Sequence, residues 1–405
     1  MVCKLWNQLL KEVYFYQVLT IDDNNLNYCR KYSHLVQHVV YYEEYLKDIK
    51  EFRNLNGLVI MHEKMIEGKQ EFISLVGHFK YLKMLTFYNF KFSLFNKGDK
   101  ELTDVFNKLK YITVHGNNDK ESVNNIETML SQMDHFNLKE LNMIRVKNEV
   151  NSNIIEMISK KFINLNKLNI YNNERVNNDL FLTNITNGRF LQLKAFSLSF
   201  NWNNNFNQFK LSKHNFNNLN GLAIIIFNNY DYFPQHLFKS DEIWYNLSEL
   251  SIDLLTQVNY QQFPNLVKLT LQVVDFTHYQ NQEIEPNLLN IFTHLKRLKH
   301  FKCVHYFSLK QFTYLSTRFN INHIEIGLAD SPFNLDFLNF LNMQLNLTQL
   351  IIRTNMSNIY NNEMIGNTFN LELTDFKLNN LLKLECPRMP NFSAFISLYA
   401  PNLLS

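Results

Sequence analysis

His300, Cys303 and His305 come nearest in this chain to a cluster of metal-binding side chains. A closed zinc site takes about four ligands, more than this cluster supplies. Cys303 also falls on a step where the surrounding pattern asks for an inward apolar residue, so it reads as a core cysteine. His34 and His38 have the one-turn spacing of a zinc-protease pair, but the residue after His34 is Leu35, where that motif needs glutamate. No glycine-rich phosphate loop and no pairing of a nucleophile with a histidine can be drawn, so catalysis by the chain itself is not expected. A different chemistry is open to Lys83, Lys110, Lys139 and Lys194, which recur at one step of a repeated pattern, with Lys167 displaced by one. Side by side on adjacent strands they would make a basic ladder able to attract an acidic or phosphorylated partner. The same column also follows from an asparagine- and lysine-rich repeat with no partner at all.

The elements that must position these lysines are set by a spacing. Leu-x-x-Leu-x-Leu, with Ile, Phe, Val or Met substituting, returns at intervals of roughly 26 to 29 residues from Leu55 to Leu247. Copies include Leu82, Leu85 and Phe87; Leu109, Ile112 and Val114; Leu138, Leu141 and Met143; and Leu165, Leu168 and Ile170. The series continues through Leu193, Leu219, Leu247, Leu266 and Leu347, and a phenylalanine commonly stands just upstream, as at Phe52, Phe79, Phe106, Phe162, Phe190 and Phe263. That period and signature read as a leucine-rich repeat solenoid of the α/β class, with about 13 repeats. One repeat cannot bury its own apolar face, so neighbouring repeats must stack into a continuous core.

Within each copy the alternation predicts a short strand, one face inward and the other exposed. Between strands the period shifts toward helix, as in Val123, Ile126, Leu130 and Met133, and in Ile154, Ile155, Ile158 and Phe162. Helices or irregular segments are therefore expected on the convex side of a parallel strand stack. Asn117, Asn173, Asn201 and Asn355 stand at the ninth signature position, where an amide can satisfy the adjacent turn. After Leu247 the intervals become uneven, and the register around Leu295, Leu298, Phe301 and Cys303 is ambiguous by one step.

The exposed strand positions form columns. One is small and polar: Thr86, Thr113, Asn142, Asn169, Ser197, Ala223, Ser251 and Thr270. The next carries Tyr88, His115, Tyr171, Asp253 and Arg353, side-chain types common among interface anchors. These five and the lysines Lys83, Lys110, Lys139 and Lys194 are the candidate face for a protein substrate.

The first residues, Met1-Val2-Cys3-Lys4-Leu5-Trp6-Asn7-Gln8-Leu9-Leu10, followed by Tyr14-Phe15-Tyr16-Gln17-Val18, place Val2, Trp6, Leu9 and Leu10 on one helical face. This stretch resembles the last helix of an F-box and the strand that leads into the repeats of F-box/leucine-rich-repeat proteins. The resemblance implies that residues 1–21 are an F-box remnant ahead of a solenoid over 22–405, with Val2, Trp6, Leu9 and Leu10 on the adaptor-binding module. The Leu-Pro start and the upstream helices of a full F-box are not in this sequence: either the start is assigned too late in a longer reading frame, or the copy is degenerate, in which case adaptor binding is expected to be weakened or lost. The chain also stops at Pro401-Asn402-Leu403-Leu404, the opening of another repeat, so the C-terminal cap is expected to be missing.

With 40 basic and 37 acidic residues the net charge is +3, too balanced to imply nucleic acid. No apolar run approaches the ~18 residues that span a membrane, and the dispersed cysteines Cys3, Cys29, Cys303 and Cys386 suit a reducing compartment, cytoplasm or nucleus. No cofactor is expected. As the family resemblance implies, the chain would be the substrate-recognition subunit of an SCF-type ubiquitin ligase, with an adaptor subunit, a cullin scaffold and an unknown protein substrate as partners. The alternative is a leucine-rich-repeat interaction scaffold that has lost its F-box. A solenoid-type GTPase activator ranks behind both, since no arginine or asparagine can be given a catalytic role.

Overall fold

The computed structural model of the chain describes residues 19–20, 37–41, 50, 52–60, 69–88, 100–116, 123–133, 137–144, 152–171, 179–202, 209–228, 237–253, 256, 258–272, 288–307, 319–328, 335–354, 381 and 383–385. Packing divides it into two compact units, Met1–Asn201 with His214–Asn218, and Trp202–Lys213 with Leu219–Ser405. Val2, Trp6, Leu9 and Leu10 lie outside the described residues, as do Asn117, Asn173 and Asn355.

The first unit carries strands β1 (Leu19–Thr20), β2 (His38–Tyr41), β3 (Gly57–Ile60), β4 (Met84–Tyr88), β5 (Tyr111–His115), β6 (Glu140–Ile144), β7 (Lys167–Tyr171) and β8 (Ala195–Trp202). Each pairs in parallel with the next in sequence order. Helices α1 (Lys69–His78), α2 (Lys100–Asn107), α3 (Val123–Gln132), α4 (Ser152–Lys161) and α5 (Asp179–Asn187) fill the five connections from β3 to β8. The second unit has β9 (Gly221–Asn228), β10 (Glu249–Asp253), β11 (Lys268–Gln272), β12 (His300–Phe307), β13 (His323–Leu328), β14 (Gln349–Thr354) and β15 (Lys383–Glu385), again parallel and in order. Helices α6 (Leu288–His294) and α7 (Leu335–Met343) precede β12 and β14. Short 3-10 helices, Lys213–Asn215 and Tyr260–Gln262, precede β9 and β11, and the second of these sits in the shortened interval between Leu247 and Leu266. The chain is thus an α/β leucine-rich repeat solenoid.

The signature residues form these elements for one reason: their apolar members are buried. Leu85 and Phe87, Ile112 and Val114, Leu141 and Met143, and Leu168 and Ile170 are all at most 2% exposed. On the helices the i, i+3, i+4 stripes are buried in turn: Phe72, Leu75 and Val76 on α1, Leu102, Val105 and Phe106 on α2, and Ile154, Ile155 and Ile158 on α4. The Phe72 ring lies 6.1 Å from Phe87 on β4 and 5.9 Å from Phe106 on α2, joining helix, strand and next helix in one layer.

The upstream phenylalanine has a backbone role as well as a packing one. In six Phe-x-x-Leu copies, those opening at Phe52, Phe79, Phe106, Phe162, Phe190 and Phe263, the leucine N–H donates to the phenylalanine carbonyl, at 3.3 Å for Leu82 to Phe79, 3.0 Å for Leu109 to Phe106 and 3.1 Å for Leu193 to Phe190. The result is a β-turn that reverses the chain from helix to strand. Gln344 takes this place before Leu347, is 3% exposed, and is accommodated because Nε2 donates to the Phe340 carbonyl at 3.0 Å while Oε1 accepts from the Phe319 N–H at 3.1 Å.

Helix C-termini leave carbonyls without intrahelical partners, and the following repeat supplies donors. Lys161 Nζ donates to the carbonyls of Leu130 (3.1 Å) and Ser131 (2.8 Å) at the end of α3. Lys108 Nζ reaches the Val76 carbonyl of α1 at 2.9 Å, and burial holds its ammonium below the usual lysine range. Gln192 Nε2 does the same for Ile158 and Phe162 at 3.3 Å each. In the second unit a buried carboxylate staples two segments: Glu242 accepts from Ser212 Oγ at 2.6 Å and from the Lys213 N–H at 2.5 Å.

The pairing of β11, β12 and β13 settles the ambiguous step. Leu269, Phe301 and Ile324 align, as do Leu271, Cys303 and Ile326. Cys303 is fully buried with a free thiol, and burial together with that thiol pushes the Tyr260 phenol well above the ordinary tyrosine range. The metal-like triplet is therefore divided, its cysteine inside and His300 on the outer row of β12 beside His323.

Candidate functional site

The exposed face of the first unit is built on a repeated backbone device. Just before each strand one carbonyl accepts two N–H groups from the next repeat. Asn56 receives Lys83 (2.8 Å) and Met84 (2.9 Å), and Lys83 receives Lys110 (2.7 Å) and Tyr111 (3.0 Å). Lys110 receives Lys139 and Glu140, Lys139 receives Asn166 and Lys167, and Asn166 receives Lys194 and Ala195. The four lysines Lys83, Lys110, Lys139 and Lys194 thus stand in one row, interrupted by Asn166. Lys83, Lys110 and Lys194 are exposed and Lys139 is half-buried.

Lys167 belongs one row further on. There Lys167 aligns with Glu140 across β6 and β7, and its Nζ lies 3.0 Å from the carboxylate. In the second unit, strand lysines behave alike: Lys268 reaches Glu249 at 3.3 Å and Lys302 reaches Glu325 at 2.9 Å. Among the described residues none of Lys83, Lys110, Lys139 and Lys194 has such a carboxylate partner.

The small polar column is continuous within each unit. Register aligns Thr86, Thr113, Asn142, Asn169 and Ser197 in the first unit, and Ala223, Ser251 and Thr270 in the second. Asn142 Nδ2 donates to Thr113 Oγ1 at 3.0 Å and to Glu140 at 3.1 Å, while Asn169 Nδ2 donates to Asn142 Oδ1. This amide ladder ends on Asn169 Oδ1, an acceptor left without a donor although Asn169 is only 5% exposed.

Of the anchor column, Tyr88 and His115 are brought together: their rings stack with centroids 3.8 Å apart and 13° between planes. Tyr171 is half-exposed two strands beyond His115. Between them register inserts Ile144, a half-exposed residue that the sequence reading passed over, although it follows Met143 just as Tyr88 follows Phe87.

Asp253 requires correction. Expected on the exposed face, it is 1% exposed, at the end of β10, where its carbonyl accepts the Thr256 N–H at 3.1 Å. Its carboxylate cannot anchor a partner. Arg353 pairs with Gly327 between β13 and β14, and its side chain is outside what the structure describes. On the outer row of the second unit His300 and His323 stand 5.8 Å apart, and His323 is held below the usual imidazole range by burial first and by His300 next. Among the described residues no group of three or more His, Cys, Asp or Glu side chains is placed to hold a metal ion. None of the described helices is long and apolar enough to cross a membrane.

No protein-family model matches the chain, and no curated protein matches it. Among solved structures it is similar to the leucine-rich repeat domain of APL1B, at 10% identity and a TM-score of 0.25, over 95% of this chain and 80% of that one. So loose a superposition carries no weight of its own. The assignment as a leucine-rich repeat solenoid stands on the buried signature and the parallel ladders of each unit.

Proposed function

We propose that the chain is a non-catalytic protein-interaction solenoid that holds a protein partner on the exposed strand face of its first unit. The observation that carries this reading is the order of that face: side chains of β4 to β8 project in register from a backbone tied together by doubly accepting carbonyls. A surface fixed in this way loses little conformational freedom when a partner docks, which favours tight association.

The finer reading is a substrate receptor of an SCF-type ubiquitin ligase acting in cytoplasm or nucleus, in which the repeats hold the target for ubiquitination and degradation. The motif Val2-Cys3-Lys4-Leu5-Trp6 directly ahead of the repeats supports it. Its partners would be the adaptor subunit and the cullin. Co-purification with adaptor and cullin tests this reading, comparing the chain with a version in which Trp6 and Leu9 are replaced by alanine. Binding that those substitutions abolish supports the ligase role. Absence of binding leaves a repeat scaffold without one.

A further inference from the structure

We infer that the partner segment held by β4 to β8 is an extended acidic peptide in which acidic and apolar residues alternate, lying across the strands. This deepens the protein-interaction reading above and rests on it. The first ground is an electrostatic contrast. Strand lysines of both units pair with a glutamate on the neighbouring strand, at 3.0 Å for Lys167 and 2.9 Å for Lys302. The row Lys83, Lys110, Lys139 and Lys194 has no carboxylate partner among the described residues. Neighbouring strands lie ~4.8 Å apart, so Lys83, Lys110 and Lys139 stand at that pitch just ahead of β4, β5 and β6, and Glu140, which opens β6, is taken by Lys167. Such a row favours carboxylates brought by a partner.

The second ground lies at the other end of the strands. Tyr88 stacked on His115, then Ile144 and Tyr171, make a rim of rings and aliphatic carbon parallel to the lysine row. From Lys83, the residue just ahead of β4, to Tyr88 at its end the chain advances five residues, at most about 16 Å at ~3.3 Å per residue. An extended peptide centred between the rows, with side chains alternating to either side, spans that width: carboxylates reach the lysines and apolar side chains reach the rim.

The third ground is the floor. Thr113, Asn142 and Asn169 carry side-chain donors and acceptors beneath the centre line, and Asn169 Oδ1 ends their ladder without a donor. A peptide backbone N–H is the group that a modest turn of this amide would engage, and a buried acceptor gains by it. Five strands span about 19 Å, which at ~3.3 Å per residue accommodates about six residues, three acidic and three apolar.

The full chain is tested by fluorescence anisotropy with an alternating glutamate–leucine hexapeptide, its lysine–leucine counterpart and a single-stranded oligothymidylate. The expected result is binding of the glutamate–leucine peptide that weakens with salt, falls roughly tenfold or more in Lys110→Glu, and survives in Lys110→Arg. Lys139→Glu serves as the second charge reversal, and thermal melts confirm that each variant folds. Equal affinity in Lys110→Glu, or equal binding of the lysine–leucine peptide or the oligothymidylate, overturns the inference. Selection from a displayed library of random peptides separates it from the reading it rests on. Enrichment of non-acidic peptides, unchanged in Lys110→Glu, removes the acidic specificity and keeps the interaction surface. No enrichment together with no hexapeptide binding removes both.

Discussion

Leu168 sits at the centre of the inward row of the first unit, fully buried on β7 between Leu141 of β6 and Phe196 of β8. Leu168→Ala deletes three carbons from that row. At about 0.8 kcal/mol for each buried methylene the transfer loss is about 2.4 kcal/mol, and the cavity left against Phe196 brings the total to about 3–4 kcal/mol. The repeats communicate only through neighbours, so the loss falls on the β6–β7 and β7–β8 interfaces together. With a urea dependence of about 3 kcal/mol per molar, the unfolding midpoint of the first unit should drop by about 1 M. The assay is urea unfolding followed by far-ultraviolet circular dichroism, with Lys83→Ala as an exposed control expected to stay within about 0.5 kcal/mol. A double-mutant cycle sharpens it. Leu168→Ala should couple with Phe196→Ala by at least about 0.5 kcal/mol, but add independently to Phe72→Ala on α1. A midpoint indistinguishable from that of the parent chain, or equal coupling to Phe196 and Phe72, would refute the register on which the fold and the exposed columns depend.

Three further outcomes follow from individual contacts. At Gly57 an added Cβ would stand 2.7 Å from the Met84 methyl and closer still to the His38 imidazole, so Gly57→Ala should cost about 1–3 kcal/mol in thermal unfolding. His38→Ala should relieve most of that cost, and a double variant no better than Gly57→Ala alone would contradict the clash. Glu242→Ala strands the Ser212 hydroxyl and the Lys213 N–H inside the second unit and should destabilise it by about 2–3 kcal/mol by calorimetry; a loss under half a unit of that scale would remove the staple. His323 is depressed below its usual value, mainly by burial, so the unfolded chain takes up its proton first as pH falls. Its contribution is complete above pH of about 6.5 and is lost as pH falls from there through the folded value. His38, depressed by burial too, acts in the same direction. His323→Asn should flatten the decline in stability from neutral to acid pH, and an unchanged slope would show that the imidazole is not held neutral.

Legibility in the sequence tracks burial. Ile154, Ile155, Ile158 and Phe162 pointed to a helix that exists as α4, and Val123 to Met133 to α3, because inward side chains must follow the period of the element that buries them. The uneven spacing after Leu247 did not say what fills the short interval to Leu266, which holds the 3-10 helix Tyr260–Gln262. Outward residues obey no such constraint. Lys167 is already one step off the column of Lys83 in the sequence, but that this step brings it to Glu140 while Lys83 has no carboxylate partner among the described residues emerges only once β6 and β7 are in register. Asp253 occupied the step of an exposed anchor, yet at the end of β10 it is buried. Ile144 was missed because its type suggests core, although its step suggests surface. The F-box resemblance rests on residues outside the described structure, so the adaptor-binding face has no geometric counterpart here.

The backbone explains why these two kinds of residue are so differently constrained. Each carbonyl of the leading row accepts two N–H groups from the next repeat, whatever side chain it carries: Lys83, Lys110 and Lys139 do so, and Asn166, Ser248, Val267, Lys299 and Asn322 do so equally. The spacing of the row is therefore fixed by main-chain hydrogen bonds and by the leucines beneath, while the side chain above is free to be basic, polar or apolar at little cost to the fold. In the second unit the same device carries serine, valine, lysine and asparagine, and the lysines paired with glutamates there, Lys268 and Lys302, lie on the strands beyond that row. A fold that sets no preference at this row leaves its occupants to be set by something else. Lys83, Lys110 and Lys139, just ahead of β4, β5 and β6, have no carboxylate partner among the described residues, and at strand pitch such charges repel by roughly 1 kcal/mol in water, which stacking does not require. On the proposal above an acidic partner lying against them would offset that repulsion, and this is why the row without carboxylate partners, rather than the better-ordered core, is where the acidic peptide is placed.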